Sequence, residues 1–180
     1  MEKDPNLKPE RTREYELGLD LRMFKGRVTL DATYYDKLSK DQIAQVSVPN
    51  SNGFEQFLTN FGEVSNKGFE VALGIMPFKN PNGFTWNTFT TFTRNKNVVE
   101  KLTEGVEEIQ IETGSSFAGR VSSVLRPGED YGILLGPVNL RDEEGNLLID
   151  PSNGQLIRAP EPGIIGNPNP DFRLGFINSF

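Results

Sequence analysis

The sequence predicts an all-β protein, an antiparallel up-and-down meander, from three observations. Apolar residues recur at every second position over several separate runs, a spacing that puts them on one face of an extended chain. β-Branched and aromatic residues fill those runs, while Gly, Pro, Asn and Asp gather between them. The composition, 36% hydrophobic and 24% charged, is neither that of a disordered chain nor that of a helical membrane protein.

Residues 6–37 organise the rest. Residues 6–13 form a lead-in that is extended around Pro9. A first strand at about 14–24 sets Tyr15, Leu17, Leu19, Leu21 and Met23 on one side and Glu16, Gly18, Asp20 and Arg22 on the other. Phe24-Lys25-Gly26 is a tight connection, and a second strand at about 27–38 repeats the scheme. There Val28, Leu30, Ala32 and Tyr34 oppose Arg27, Thr29, Asp31 and Thr33. Residues 39–64 are a longer excursion, in which 42–48 suit an extended arm and Pro49-Asn50-Ser51-Asn52-Gly53 is turn chemistry.

A third strand, at about 66–77, carries Phe69, Val71, Leu73 and Ile75 on one face, with Glu70, Ala72 and Gly74 on the other. Residues 79–83 turn the chain into a fourth strand at about 84–97. Phe84, Trp86 and Phe92 share its apolar face, with Thr88 and Thr90 between them and Phe89 on the polar side. A long loop at about 98–171 follows. Within it, 98–102 suit an extension of the fourth strand, 107–111 and 132–136 suit short strands, and 142–146 and 151–154 suit hairpin tips. Phe172, Leu174, Phe176 and Phe180 begin a fifth strand, 172–180, whose apolar face Asn178 interrupts. The chain stops in mid-strand, as intact domains seldom do.

Composition excludes several kinds of chemistry. The net charge of −6, with no Lys/Arg cluster to outweigh it, argues against a nucleic-acid partner. Cys and His are both absent, which removes disulfides, Ser-His and Cys-His nucleophiles and ordinary zinc sites. Glu104, Glu107, Glu108 and Glu112 lie in a polar stretch that reads as a solvated charge run, since nothing converges two of them across a cleft. Asp142-Glu143-Glu144-Gly145-Asn146 lacks the ligand spacing of a calcium loop, and Gly114, Gly119 and Gly128 form no phosphate-binding motif. No residue is assigned as catalytic, cofactor-binding or metal-binding, and the chain is read as no enzyme. Tyr131, Arg120, Arg126, Arg141 and Asn139 are residue types suited to sugar or peptide contact, but no substrate-binding residue is assigned.

No apolar run reaches the 18 residues of a transmembrane helix, but a membrane strand needs only ~9–11 alternating residues. Two features favour a membrane barrel over a soluble sheet with one wet face. Short turns join strands one to two and three to four, while long excursions join two to three and four to five, as in barrels with long extracellular loops. Phe24, Phe78, Phe84 and Trp86 then cluster at the short-turn end and Tyr15, Tyr34, Phe69 and Phe92 at the other, with aliphatics between. Glu16, Asp20, Arg22, Arg27, Asp31 and Glu70 would face a hydrated lumen. The alternative is a soluble extracellular β-sheet domain that binds carbohydrate or protein, in which the apolar faces pack together and cover Leu19 and Leu73.

Three stretches of wording carry a resemblance. Asn6-Leu7-Lys8-Pro9-Glu10-Arg11-Thr12 with Glu14-Tyr15-Glu16-Leu17-Gly18-Leu19-Asp20, then Asn60-Phe61-Gly62 with Asn66-Lys67-Gly68-Phe69-Glu70, and more loosely 166–172, resemble the barrel of SusC/RagA-family TonB-dependent outer-membrane receptors. The resemblance implies that residues 1–180 are part of a large transmembrane β-barrel of roughly 22 strands with long extracellular loops. It also implies an internal piece of a longer chain, consistent with the absence of a signal peptide at Met1-Glu2-Lys3-Asp4-Pro5. It further implies import of glycan oligosaccharides or peptides across the cell outer membrane. The partners implied are a SusD-like lipoprotein, the TonB complex and outer-membrane lipid, with no cofactor and no nucleic acid.

Overall fold

The computed structural model describes residues 2–47, 56–111 and 121–180. Five long strands run up and down in one antiparallel sheet: β2 (Arg11–Met23), β3 (Val28–Ser47), β4 (Gln56–Phe78), β5 (Trp86–Leu102) and β10 (Arg173–Ser179), in the order β10-β5-β4-β3-β2. Neighbours in sequence are neighbours in space, except where the segment between β5 and β10 folds separately. β1 (Glu2–Lys3) pairs in parallel with the outer end of β4, beyond Gly62, opposite which β5 ends at Leu102.

Register puts the alternating residues where the pattern predicts. Leu17, Leu19, Leu21 and Met23 lie opposite Tyr34, Ala32, Leu30 and Val28, which lie opposite Phe69, Val71, Leu73 and Ile75. A one-residue slip would turn every one of these side chains to the wrong face. In the β2–β3 turn, residues 24–27 connect the paired Met23 and Val28, and Phe24, Lys25 and Gly26 reverse the chain with left-handed φ of 53°, 58° and 82°. Gly26 N–H closes it on the Met23 carbonyl at 3.1 Å.

Strand lengths depart from the pattern. The strands expected at 27–38 and 66–77 extend to Ser47 and begin at Gln56, so much of the excursion at 39–64 is one long hairpin. It bends at an irregularity between Ser39 and Gln42, where Asp41 adopts a φ of 55°. Val48 and the turn residues Pro49 to Gly53 lie outside the described residues. The fourth strand runs on to Leu102, so the long loop starts later than 98.

That loop carries its own sheet, β6 (Ile109–Ile111), β7 (Ser122–Leu125), β8 (Ile133–Gly136) and β9 (Gly163–Gly166), in sequence order and antiparallel. Alternation does not signal β7 and β9, because a four-residue strand is too short to display an amphipathic period. Turns close at Asp142, where Gly145 N–H donates at 3.1 Å, and at Asp150, where Gly154 N–H donates at 2.8 Å.

The buried core is small and lies where the two sheets meet. Phe61, Val64 and Val99 from the long strands pack with Ile109 and Leu125 from the small sheet, and Val124, Ile133 and Leu135 form a second cluster. Backbone bonds from Val99 N–H to the Glu129 carbonyl and from Tyr131 N–H to the Asn97 carbonyl hold the sheets together. Gly62 lets β4 and β5 close together beside this junction. At φ 154° a Cβ there would stand 2.0 Å from the Lys101 carbonyl oxygen.

Candidate functional site

The long sheet has two unlike faces. On the first, Leu19 is 50% exposed, Leu174 64% and Phe176 66%, although they are the residues a soluble sheet would bury. Nothing in the described residues packs over them, so the two-sheet sandwich of the soluble alternative does not form. Four strand spacings by about 30 Å of strand give a flat apolar area of roughly 600 Å². That is the upper limit of what soluble monomers leave bare.

Aromatic clusters bound this face at both ends. At the short-turn end Phe78 stacks on Trp86 at 6.2 Å, and Phe180 reaches both Phe84 and Trp86. Asn178, which breaks the alternation of the last strand, accepts the Trp86 indole N–H at 3.0 Å. At the other end Phe69 stacks on Phe92 at 5.4 Å and Phe92 on Phe172 at 5.7 Å. From Tyr15 to Phe24 is about 30 Å along the strand, or about 23 Å of height at a tilt of ~40°, the apolar band of an outer-membrane barrel.

The opposite face is polar and closely fitted. Glu16, Tyr35, Gly68 and Asn95 stand in one row across four strands, and Thr33, Glu70, Thr93 and Arg173 are in the next. Tyr35 lies flat over Gly68, so that its hydroxyl accepts from Asn95 Nδ2 at 2.8 Å. A Cβ on residue 68 would meet that hydroxyl at 2.5 Å. Phe89, the aromatic that falls on the wrong side of the alternation, sits on this face opposite Gly74 and Ile177.

Toward the small sheet the polar face hollows into a cleft of about 330 Å³, lined among others by Glu10, Lys37, Gln42, Asn66, Asn97 and Tyr131. Its groups are hydroxyls, amides and one charge of each sign, with Asn97 Oδ1 buried and without a hydrogen-bond partner. Such a lining suits hydrogen bonding to a polyhydroxylated or amide-rich ligand. Among the described residues there is no group of His, Cys, Asp and Glu able to hold a metal ion.

Of the described residues whose types suit ligand contact, Tyr131 alone lines this cleft. It packs against the core, and burial raises its phenol above the usual value. Arg126 is spent on Glu108, at 2.6 Å. Arg141 donates to the Gly145 carbonyl at 2.6 Å and so closes its hairpin, while Asn139 bridges to Arg158 through backbone. Arg120, Glu112, Gly114 and Gly119 lie outside the described residues. The other lining residues, Glu10, Lys37 and Asn97, carry no sequence signal, because they come together only through register.

The repeated wording acquires a physical role here. Asn60 accepts from Lys8 N–H at 2.7 Å and donates to the Lys8 and Asp41 carbonyls, at 2.8 and 2.6 Å, tying the lead-in to the hairpin. Asn167 donates to Asp130 at 2.6 Å and Asn169 to the Tyr131 carbonyl at 2.8 Å, which seats the last strand against the small sheet.

An antiparallel wall, apolar outside between two aromatic girdles and polar inside, is a stretch of transmembrane β-barrel. Residues 2–132 match the family described as TonB dependent receptor-like, beta-barrel, and the chain belongs to that family. TonB-dependent receptor P3 of Formosa agariphila is 31% identical over 191 residues, covering 96% of this chain and 19% of the relative. TonB-dependent receptor SusC of Bacteroides thetaiotaomicron is 30% identical over 179 residues, covering 94% and 18%. The chain thus spans about a fifth of the length of the curated relatives it matches. The solved RagAB peptide transporter has the same fold, with a TM-score of 0.68 at 16% identity over 93% of this chain and 19% of that one. The SusC/RagA resemblance read from the sequence is therefore correct, and the open sheet is one portion of a larger barrel wall.

Proposed function

We propose that residues 1–180 form part of the barrel of an outer-membrane TonB-dependent importer of nutrients, the segment between β5 and β10 being an extracellular loop. The observation that carries this reading is the bare apolar face between two aromatic girdles, backed by a polar face. Lipid covers the first and a hydrated lumen the second. The cargo is a glycan oligosaccharide or a peptide, and the polar cleft beside Tyr131 offers amide and hydroxyl groups to either. A SusD-like lipoprotein captures the cargo at the surface, and the TonB complex drives its entry. Relatives named as receptors and a structural neighbour named as a peptide transporter support transport rather than catalysis.

The test is made on the full-length receptor in bilayers. Single cysteines at Leu19 and Leu73 carry a label quenched by lipid-soluble probes, and labels at Asp20 and Glu70 are quenched by water-soluble ones. Water access at all four positions overturns the barrel wall. Cells lacking the receptor then fail to grow on its cargo, offered as oligosaccharide or as peptide; growth on every such substrate at wild-type rate overturns the transport role.

A further inference from the structure

We propose that the cleft beside Tyr131 is a subsite for the carboxyl terminus of a peptide cargo, in which Lys37 and Asn66 hold the carboxylate and Asn97 accepts the N–H of the last residue. The inference rests on the import reading above and narrows its cargo. Glu14, Lys37, Asn66 and Asn97 occupy one row across β2, β3, β4 and β5 on the polar face, and the last three line the cleft. The row stands at the outer end of the wall. There Tyr131 N–H bonds the Asn97 carbonyl, and Val98 bridges to Asp130 of the long loop. A cleft so placed lies on the side from which cargo arrives.

Each of the three residues has a group left unspent. Lys37 is half-buried, yet it forms neither an ion pair nor a hydrogen bond among the described residues. Its register partner on β2, Glu14, is exposed and makes no ion pair with it. Other acids nearby are taken. Glu10 accepts the Ile43 N–H at 2.7 Å, Glu63 holds Lys101 at 2.8 Å and Lys40 at 3.5 Å, and Asp36 holds Lys67 at 3.1 Å. Asn66 Oδ1 accepts from Asn95 Nδ2, which leaves the Asn66 Nδ2 to donate. Asn97 Oδ1 is buried without a partner, a costly state that a ligand donor relieves. The row thus offers two donors, one of them charged, and a lone acceptor, on strands about 4.8 Å apart. The last residue of a peptide is the complement: a carboxylate that only accepts and, on the same Cα, an N–H that only donates. A sugar hydroxyl both donates and accepts, so it has no use for that polarity. Tyr131, the ring that lines the cleft, is packed against the core and is a poor platform for stacking a sugar.

The full-length receptor in phosphatidylcholine nanodiscs is dialysed to equilibrium against a pool of random pentapeptides without Asp or Glu, made as free acids or as carboxyl-terminal amides. Peptide bound per receptor is counted by mass spectrometry. Wild type is expected to bind the acids about tenfold better, the effect of one charge-assisted hydrogen bond. Lys37→Gln loses that preference and Lys37→Arg keeps it. The preference is a ratio within one variant, so a shared loss of folded protein does not alter it. Methylating the last peptide nitrogen lowers binding about fivefold in wild type and changes nothing in Asn97→Ala. Lys25→Gln, a charge in the turn at the opposite end, leaves these ratios as they are. Equal binding of acids and amides by wild type overturns the site, as does a preference that persists in Lys37→Gln or is lost in Lys25→Gln. Oligogalacturonate bound through Lys37 in place of the acid peptides assigns an acidic sugar and overturns the peptide. Receptor-dependent growth and lipid-soluble quenching at Leu19 are checked alongside: if either is missing, the import reading falls; if both are present, a missing acid preference counts against this site alone.

Discussion

Gly68 is where the polar face is most tightly closed, and Gly68→Ala tests that closure. The added methyl would lie 2.5 Å from the Tyr35 hydroxyl, 2.7 Å from its Cζ and 2.5 Å from the Arg94 carbonyl oxygen. Real Cβ contacts do not approach so closely, so the tyrosine must swing away and the β4–β5 backbone must part. Overpacking of this kind costs about 1–3 kcal/mol. Swinging the phenol also breaks its bond with Asn95, worth a further ~1 kcal/mol. Gly68→Ala is therefore expected to destabilise the receptor by about 2–4 kcal/mol. The assay is urea unfolding of the full-length receptor refolded in detergent, followed by tryptophan fluorescence. A second variant, Tyr35→Ala, and the double variant complete a cycle. Once the ring is gone, the methyl meets only the backbone, so the double variant should fall short of additivity by about 1–2 kcal/mol. A Gly68→Ala midpoint equal to wild type, or strict additivity, would refute the role given to this contact.

Three further outcomes follow from other parts of the structure. Gly62→Ala forces a methyl against the Lys101 backbone and into a left-handed conformation, so it should open the junction of the two sheets; proteolysis within 103–111 is expected to accelerate at least tenfold, and unchanged cleavage would contradict this. Leu73→Arg, mid-height on the apolar face, should cost about 2–4 kcal/mol in lipid, while Glu70→Gln on the other face should cost under about 1 kcal/mol; the reverse ranking in lipid-vesicle unfolding would invert the wall. Asp142 is held below its usual carboxylate value first by the Asn146 side chain and then by the Asn146 backbone N–H. Because the folded value is the lower one, its contribution to the hairpin tip is complete above the unfolded value of about 4 and is lost as pH falls through the folded value. Exchange of the Asn146 amide, corrected for its intrinsic pH dependence, should rise below about pH 4, and should show no such rise in Asp142→Asn.

Much of the wall is legible residue by residue. Leu17, Leu19, Leu30 and Leu73 reveal their face because a strand alternates by geometry alone, and Phe24-Lys25-Gly26 reveals its turn because only a tight connection joins two runs so close together. The girdles follow from the same threading, with Phe172 and Phe180 joining the clusters already placed at Phe92 and Trp86. The ends of the strands are a different matter. Residues 42–47 already suit an extended arm and are strand, whereas residues 39–41 and 56–65 are strand because they pair across the hairpin, and their mixed polar sequence carries no period that would announce it.

What the sequence determined by itself is the local geometry: which residues alternate, where the chain turns, and which face is apolar. The tertiary structure alone decided which distant residues meet. Tyr131 reaches the Asn97 cleft, Asn169 holds the Tyr131 carbonyl from 38 positions away, and Asn60 clamps a lead-in 52 positions before it. Each of those contacts depends on strand register and on the path of a long loop. Alternation is the same for every register that differs by two residues, so periodicity cannot choose among them. The fit of side chains such as Tyr35 over Gly68 can, and it exists only once the strands are side by side.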